Sequence, residues 1–221
     1  MATLHILRVF CDAEGRHGNP LGVFLDGAEV PAERRQAIAR DLGFSETVFV
    51  DDPETGAMRI FAPELEFQFA GHPSVGTAWL LARERQAVVV LHPPAGAVGV
   101  RVEDDLTWIS ARPEWAPRFD YVQYGSPAEV DSLPARGAFK YAWAWQDDSA
   151  GLIRARSFVA EAGIGEDEAT GAAALALAAL IERPVTIRQG TGSELYARPL
   201  PDGRAEVGGR VVLEGTRPYA V

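Results

Sequence analysis

GEDEATGAAALALAALIE, residues 165–182, sets three carboxylates directly in front of a helix that is apolar or small on every side. The run 169–181 carries no charge, and its only interruptions are Thr170 and Gly171. A helix lying on one face of a sheet needs a polar stripe toward solvent. This one has none, so it must be enclosed. A sheet curled around it would do that, with the alanines and Gly171 letting the strands approach closely. SVGTAWLLA, residues 74–82, has the same character until Arg83. The expectation is therefore an α+β chain in which antiparallel-rich curled sheets or barrels each surround one central helix, and not a βαβ fold.

Composition narrows the function classes. The formal net charge is −10 and the basic residues form no cluster, so nucleic acid is not an expected partner. No apolar run is long enough to span a bilayer, so no membrane is expected as a partner either. MATLHILRVFCDAEG lacks a basic region followed by a long apolar core, which reads against a signal peptide and makes cytoplasmic the expected location. Cys11 is the only cysteine, so an intrachain disulfide and a cysteine-rich zinc site are excluded. Lys140, the only lysine, is the sole candidate for a Schiff base. His5, His17, His72 and His92 have no metal-ligand spacing. No metal and no organic cofactor is expected.

Two divergent copies of one unit are readable along the chain. MRIFAPE at 58–64 is similar to ARSFVAE at 155–161, and GHPSVGTA at 71–78 to EDEATGAA at 166–173. That alignment sets Arg59 opposite Arg156, His72 opposite Asp167, and Gly76 opposite Gly171. PEWAPRF marks the division, giving two pseudo-symmetric domains, 1–112 and 113–221, with the last strand allowed to cross back. Trp143 and Trp145 read either as a core strand face or as a dimer or substrate wall.

The candidate chemistry gathers at the helix mouths. Asp167 or Glu168 has an ordinary reading as a helix cap or dipole partner, Glu166 and Glu168 read as solvated carboxylates, and His72, before Pro73, as a capping or buried neutral histidine. Glu46, in FSETVFV, reads as the first residue of an edge strand or as a carboxylate with a raised pKa that moves protons. If the halves pack about a pseudo-twofold axis, both helix N-termini face one cleft. Their free N–H groups would then hold an anion without any lysine or arginine.

GNPLGVF (18–24), SETVFV (45–50), the Phe61-Ala-Pro-Glu64 block, FAGHPSVGTA (69–78) and EDEATGAAALALAAL (166–180) together resemble the phenazine-biosynthesis isomerase family, PhzF-like relatives of diaminopimelate epimerase. The resemblance implies the diaminopimelate epimerase-like fold, an interdomain active site, a homodimer, and cofactor-free isomerisation by proton transfer on a small carboxylate-bearing metabolite. It implies Glu46 as catalytic proton donor and acceptor, with His72 and Asp167 assisting. Gly71 and Gly171 match positions where backbone amides approach substrate, and Pro73, Asn19 and Thr170 stand in the same motifs as substrate-binding candidates.

Two positions depart from the family pattern: Glu168 stands where proline is expected, and Ala172 where a small polar residue is usual. The single cysteine excludes the paired-cysteine mechanism of the epimerases. A non-catalytic small-molecule binder on the same fold is the alternative reading. A serine hydrolase has no G-x-S-x-G elbow to support it.

Overall fold

The computed structural model describes residues 1–135 and 139–220. Its first half runs β1 (Ala2–Cys11), β2 (Asn19–Phe24), α1 (Ala32–Leu42), β3 (Glu46–Asp52), β4 (Ala57–Phe61), β5 (Glu66–Phe67), α2 (Gly71–Glu84), β6 (Val90–Leu91), β7 (Val98–Glu103) and β8 (Leu106–Ala111). The second runs β9 (Asp120–Gln123), α3 (Pro127–Asp131), β10 (Lys140–Asp147), β11 (Leu152–Val159), β12 (Ile164–Asp167), α4 (Gly171–Leu180), β13 (Val185–Gln189), β14 (Ser193–Pro199) and β15 (Ala205–Tyr219). The strands form one open, hydrogen-bonded path from β5 through β1, β15 and β11 to β9. The chain is thus sheet-dominated α+β, curled and not closed.

The central helices are enclosed for the reason their composition gives. In α4, Gly171 to Leu175, Leu177 and Ala178 are buried, and in α2 every residue from Gly71 to Ala78 is buried. Leu180, at the end of α4, departs from the pattern and is exposed. α1 follows Pro31 and stops at Gly43, whose φ of 65° makes the left-handed turn that glycine adopts without strain. AVVVLH yields only the short β6, and Val89 just before it is exposed.

β15 joins the two halves. Its first residues, Ala205–Gly209, pair with β8, which carries β7 and β6 beyond it. From Arg210 to Tyr219 it pairs with β1.

The internal repeat is visible in the pairing. β2 runs parallel to β3 across α1, and β9 parallel to β10 across α3; antiparallel β4 and β11 follow, then β5 and β12, then the central helix. Thr47 pairs with Phe61 and Phe61 with Glu66; Lys140 pairs with Phe158 and Phe158 with Glu166. Phe61 therefore matches Phe158, and Arg59 matches Arg156 as the sequence suggested. Each arginine binds the glutamate of the next strand, Arg59 to Glu66 and Arg156 to Glu166.

The helix register differs from the sequence alignment. α2 opens at Gly71 and α4 at Gly171, so these two glycines match and His72 matches Ala172, not Asp167. The longer link from β11 to α4, which holds a short turn at Ala160–Ala162, absorbs the shift. Gly76 serves packing instead: a Cβ there would stand 2.6 Å from Leu21 Cδ2 and 2.8 Å from Val9 Cγ2.

Candidate active site

The two central helices meet head to head. A Cβ on Gly71 would come within 2.4 Å of the Gly171 carbonyl carbon and 2.5 Å of the Ala172 nitrogen. Neither cap residue, Ala70 or Thr170, offers a side-chain hydrogen bond to the helix it precedes. Two helix N-termini thus turn unpaired N–H groups and their positive dipole ends toward one cleft. No lysine or arginine lines it among the described residues.

Glu46, His72, Asp167, Thr170, Gly71 and Gly171 all line this cleft. Glu46 opens β3 just after the chain leaves α1, which sets its carboxyl beside the mouth of α2. Its Oε2 lies 3.1 Å from His72 Nδ1. Asn19 is not in the lining; it reaches Asp167 from behind, donating from Nδ2 to Oδ1 at 2.7 Å and to the Ala169 carbonyl at 3.0 Å. Its Oδ1 accepts from the Ser45 hydroxyl at 2.8 Å. Thr170 donates from Oγ1 to the other Asp167 oxygen at 2.7 Å. Pro73, the third residue of α2, is buried outside the lining.

The three carboxylates before α4 therefore have three separate roles, and none caps the helix. Glu166 pairs bidentately with Arg156. Asp167 faces the cleft. Glu168, in place of the family's proline, binds the β13–β14 turn, accepting from the Thr191 N–H at 2.9 Å and from the Thr191 and Ser193 hydroxyls at 2.8 and 2.9 Å.

Electrostatics divide the polar groups by role. Burial, with the Asp167 charge adding to it, raises Glu46 well above the usual carboxylate range. Burial lowers His72 to about 3, against the opposing Pro20 carbonyl, so its ring is neutral at physiological pH. Burial also raises Asp167 to about 6, opposed chiefly by the hydrogen bonds from Thr170 and Asn19. At neutral pH His72 is neutral and Asp167 is ionised, and burial makes Glu46 a weaker acid than an ordinary carboxyl.

The repeat explains the asymmetry of the lining. By strand register Glu46 matches Phe139, by the matched glutamates Asp167 matches Phe67, and by helix register His72 matches Ala172. All six line the cleft. Each polar group has an apolar counterpart, and Phe69, Phe119 and Ile164 extend the apolar wall.

Sequence reasoning missed Gln189 and Tyr141, both fully buried behind Asp167, and the aromatic walls. No spacing in the sequence links Gln189 to the helix mouth; only the β13 fold-back brings it there. Ser45 was visible inside SETVFV without a partner to give it a role. Cys11 is buried, with its thiol raised to about 11 chiefly by burial, and it stands apart from the cleft lining. Trp143 is buried and Trp145 half-buried, their rings edge to face at 5.3 Å.

Residues 7–133 match the family model described as phenazine biosynthesis-like protein, PhzC-PhzF. The chain belongs to that family. Among curated relatives, the phenazine biosynthesis-like chain is 33% identical over 109 residues to antisense-enhancing sequence 1 of Schizosaccharomyces pombe, covering 44% of this chain and 37% of that one. It is 47% identical over 64 residues to trans-2,3-dihydro-3-hydroxyanthranilate isomerase of Pseudomonas fluorescens, covering 28% and 23% of the two chains. The match thus spans less than two fifths of the length of either relative. Its fold is similar to a solved PhzF-family protein of Enterococcus faecalis, with a TM-score of 0.80 at 20% identity over 100% of this chain and 99% of that one. No helix among the described residues is long and apolar enough to cross a membrane.

Proposed function

We propose that the cleft is the site of a cofactor-independent isomerase that moves a proton between carbons of a small carboxylate-bearing metabolite, with Glu46 as the proton carrier. The observation that carries this reading is the raised, buried Glu46 carboxyl at the joint mouth of two uncapped helices.

The substrate carboxylate sits against the N–H groups at the starts of α2 and α4. As ionised Glu46 takes a proton from carbon, becoming the neutral acid, the C–H electron pair spreads into the conjugated system that ends at this carboxylate. The fixed N–H dipoles stabilise that charge with no reorganisation. Glu46 then returns the proton to a different carbon, and the enzyme ends as it began. Each such transfer is worth roughly 10²–10⁴-fold. His72 stays neutral, so it accepts or donates one hydrogen bond without adding charge, and ionised Asp167 holds a substrate amine or hydroxyl.

The apolar counterparts favour a shift on one face over racemisation. A two-base racemase needs a second proton carrier opposite the first, whereas Phe139 occupies the position equivalent to Glu46. The phenylalanine walls also suit a ring better than a second charged group. The likeness to a dihydrohydroxyanthranilate isomerase supports a cyclic unsaturated acid as substrate.

The test is a comparison of binding and turnover. Glu46→Gln should bind cyclic unsaturated acids, read as ligand-induced thermal stabilisation, while losing isomerisation by at least about 10²-fold. Binding by both forms and turnover by neither would favour a non-catalytic binder.

A further inference from the structure

We propose that Gln189 is a positioning residue that fixes the direction of the Thr170 hydroxyl and so holds Asp167 as a double hydrogen-bond acceptor at the mouth of α4. Its geometry admits one orientation of the side-chain amide. Oε1 accepts from the Tyr141 hydroxyl at 3.0 Å and from the Thr170 backbone N–H at 3.2 Å. Nε2 donates to the Asp167 carbonyl at 2.8 Å and to Thr170 Oγ1 at 2.9 Å. A flipped amide would set its NH₂ against an N–H and its oxygen against a carbonyl. With its oxygen already accepting from Gln189, Thr170 directs its single hydroxyl proton to Asp167 Oδ2, 2.7 Å away.

The other Asp167 oxygen is fixed by the same logic. Asn19 must turn its nitrogen to the Ala169 carbonyl, which only accepts, and the second hydrogen of that nitrogen reaches Asp167 Oδ1. Gln189 and Tyr141 are fully buried, so water has no access to replace either bond, and neither lines the cleft. Gln189 therefore acts through Asp167 and not on substrate. The ionisable groups around Asp167 are Glu46 from β3, His72 from α2, Tyr141 from β10 and Glu168 from its own segment, and none of them is a cation at neutral pH. Hydrogen bonds alone oppose burial here, so the direction of each one matters.

Only the effect on turnover rests on the isomerase reading; the effect on Asp167 does not. The experiment therefore follows the Asp167 carboxyl directly, by infrared titration of ¹³C-aspartate-labelled protein with Asp167→Asn as the subtraction reference. Gln189→Met and Thr170→Val should each raise the midpoint by about one pH unit. Gln189→Met should add nothing in the Thr170→Val background. An unmoved midpoint in folded Gln189→Met, or an equal shift with and without the Thr170 hydroxyl, overturns the proposal. If Gln189→Met does not fold, Tyr141→Phe takes its place: a smaller upward shift supports the proposal and no shift overturns it. A shifted midpoint in a protein that isomerises nothing leaves Gln189 its role and removes the isomerase reading.

Discussion

Gly71 and Gly171 meet backbone to backbone: a Cβ on Gly171 would stand 2.8 Å from the His72 nitrogen and 3.0 Å from the Gly71 carbonyl carbon. Both helix starts depend on that approach, since only glycine lets two N-termini share one cleft mouth without a side chain between them. Gly71→Ala and Gly171→Ala should each destabilise the fold by about 1–3 kcal/mol through overpacking. Urea denaturation at constant m-value checks this, and carboxylate binding should weaken in both.

The two pseudo-equivalent ion pairs should differ in strength. Arg156 is the more enclosed arginine, with 12% of its side chain exposed against 46% for Arg59, and it also donates to the carbonyls of Val130, Asp131 and Leu133. Arg156→Ala should therefore cost about 3 kcal/mol and Arg59→Ala no more than about 1 kcal/mol. Chemical denaturation of the two variants side by side provides the comparison.

Glu168 should act locally. Glu168→Ala removes the acceptor of the Thr191 N–H and of two hydroxyls at the β13–β14 turn. Hydrogen exchange at the Thr191 amide should speed up about tenfold, with a loss of global stability near 1 kcal/mol. Equal protection in both proteins would show that the turn holds without the carboxylate.

Asp167 and His72 push stability in opposite directions with pH. Asp167 titrates at about 6 in the folded chain and at about 3.9 unfolded, so between those values the native state binds the proton more tightly. Its contribution is greatest below pH 4 and falls as pH rises to 6. His72 is lowered to about 3, so its contribution is full above its unfolded value of about 6.5 and falls as pH drops toward 3. Subtracting the stability curve of Asp167→Asn from that of the unmutated protein isolates the first effect. The difference should decline by about 3 kcal/mol from pH 4 to pH 7, and a flat difference would contradict a raised Asp167.

The enclosed helices were legible because burial on all sides leaves a compositional mark: 169–181 has no polar face to offer solvent. The Arg59 and Arg156 match was legible because both lie in similar short strands. The helix register was not, since a longer link before α4 shifts the alignment by residues that sequence similarity alone cannot place. Glu46, His72 and Asp167 stand in recognisable motifs, and the fold brings them to one cleft. Gln189 and Tyr141 come to stand behind Asp167, and Phe139 to line the cleft, through strand pairing between distant segments, which no local pattern encodes. Asp167 stands apart from its acidic neighbours in its motif, but the partners of Glu166 and Glu168 were not legible, because they lie on β11 and at the β13–β14 turn.

Glu46 should carry a proton between carbons of a bound acid. The most direct measurement is solvent deuterium incorporation in D₂O, with unmutated protein and Glu46→Gln each incubated with cyclic unsaturated acids and the products read by mass spectrometry and NMR. Deuterium should appear at a carbon-bound position with the unmutated protein and not above background with Glu46→Gln. Equal incorporation by both proteins would contradict that role.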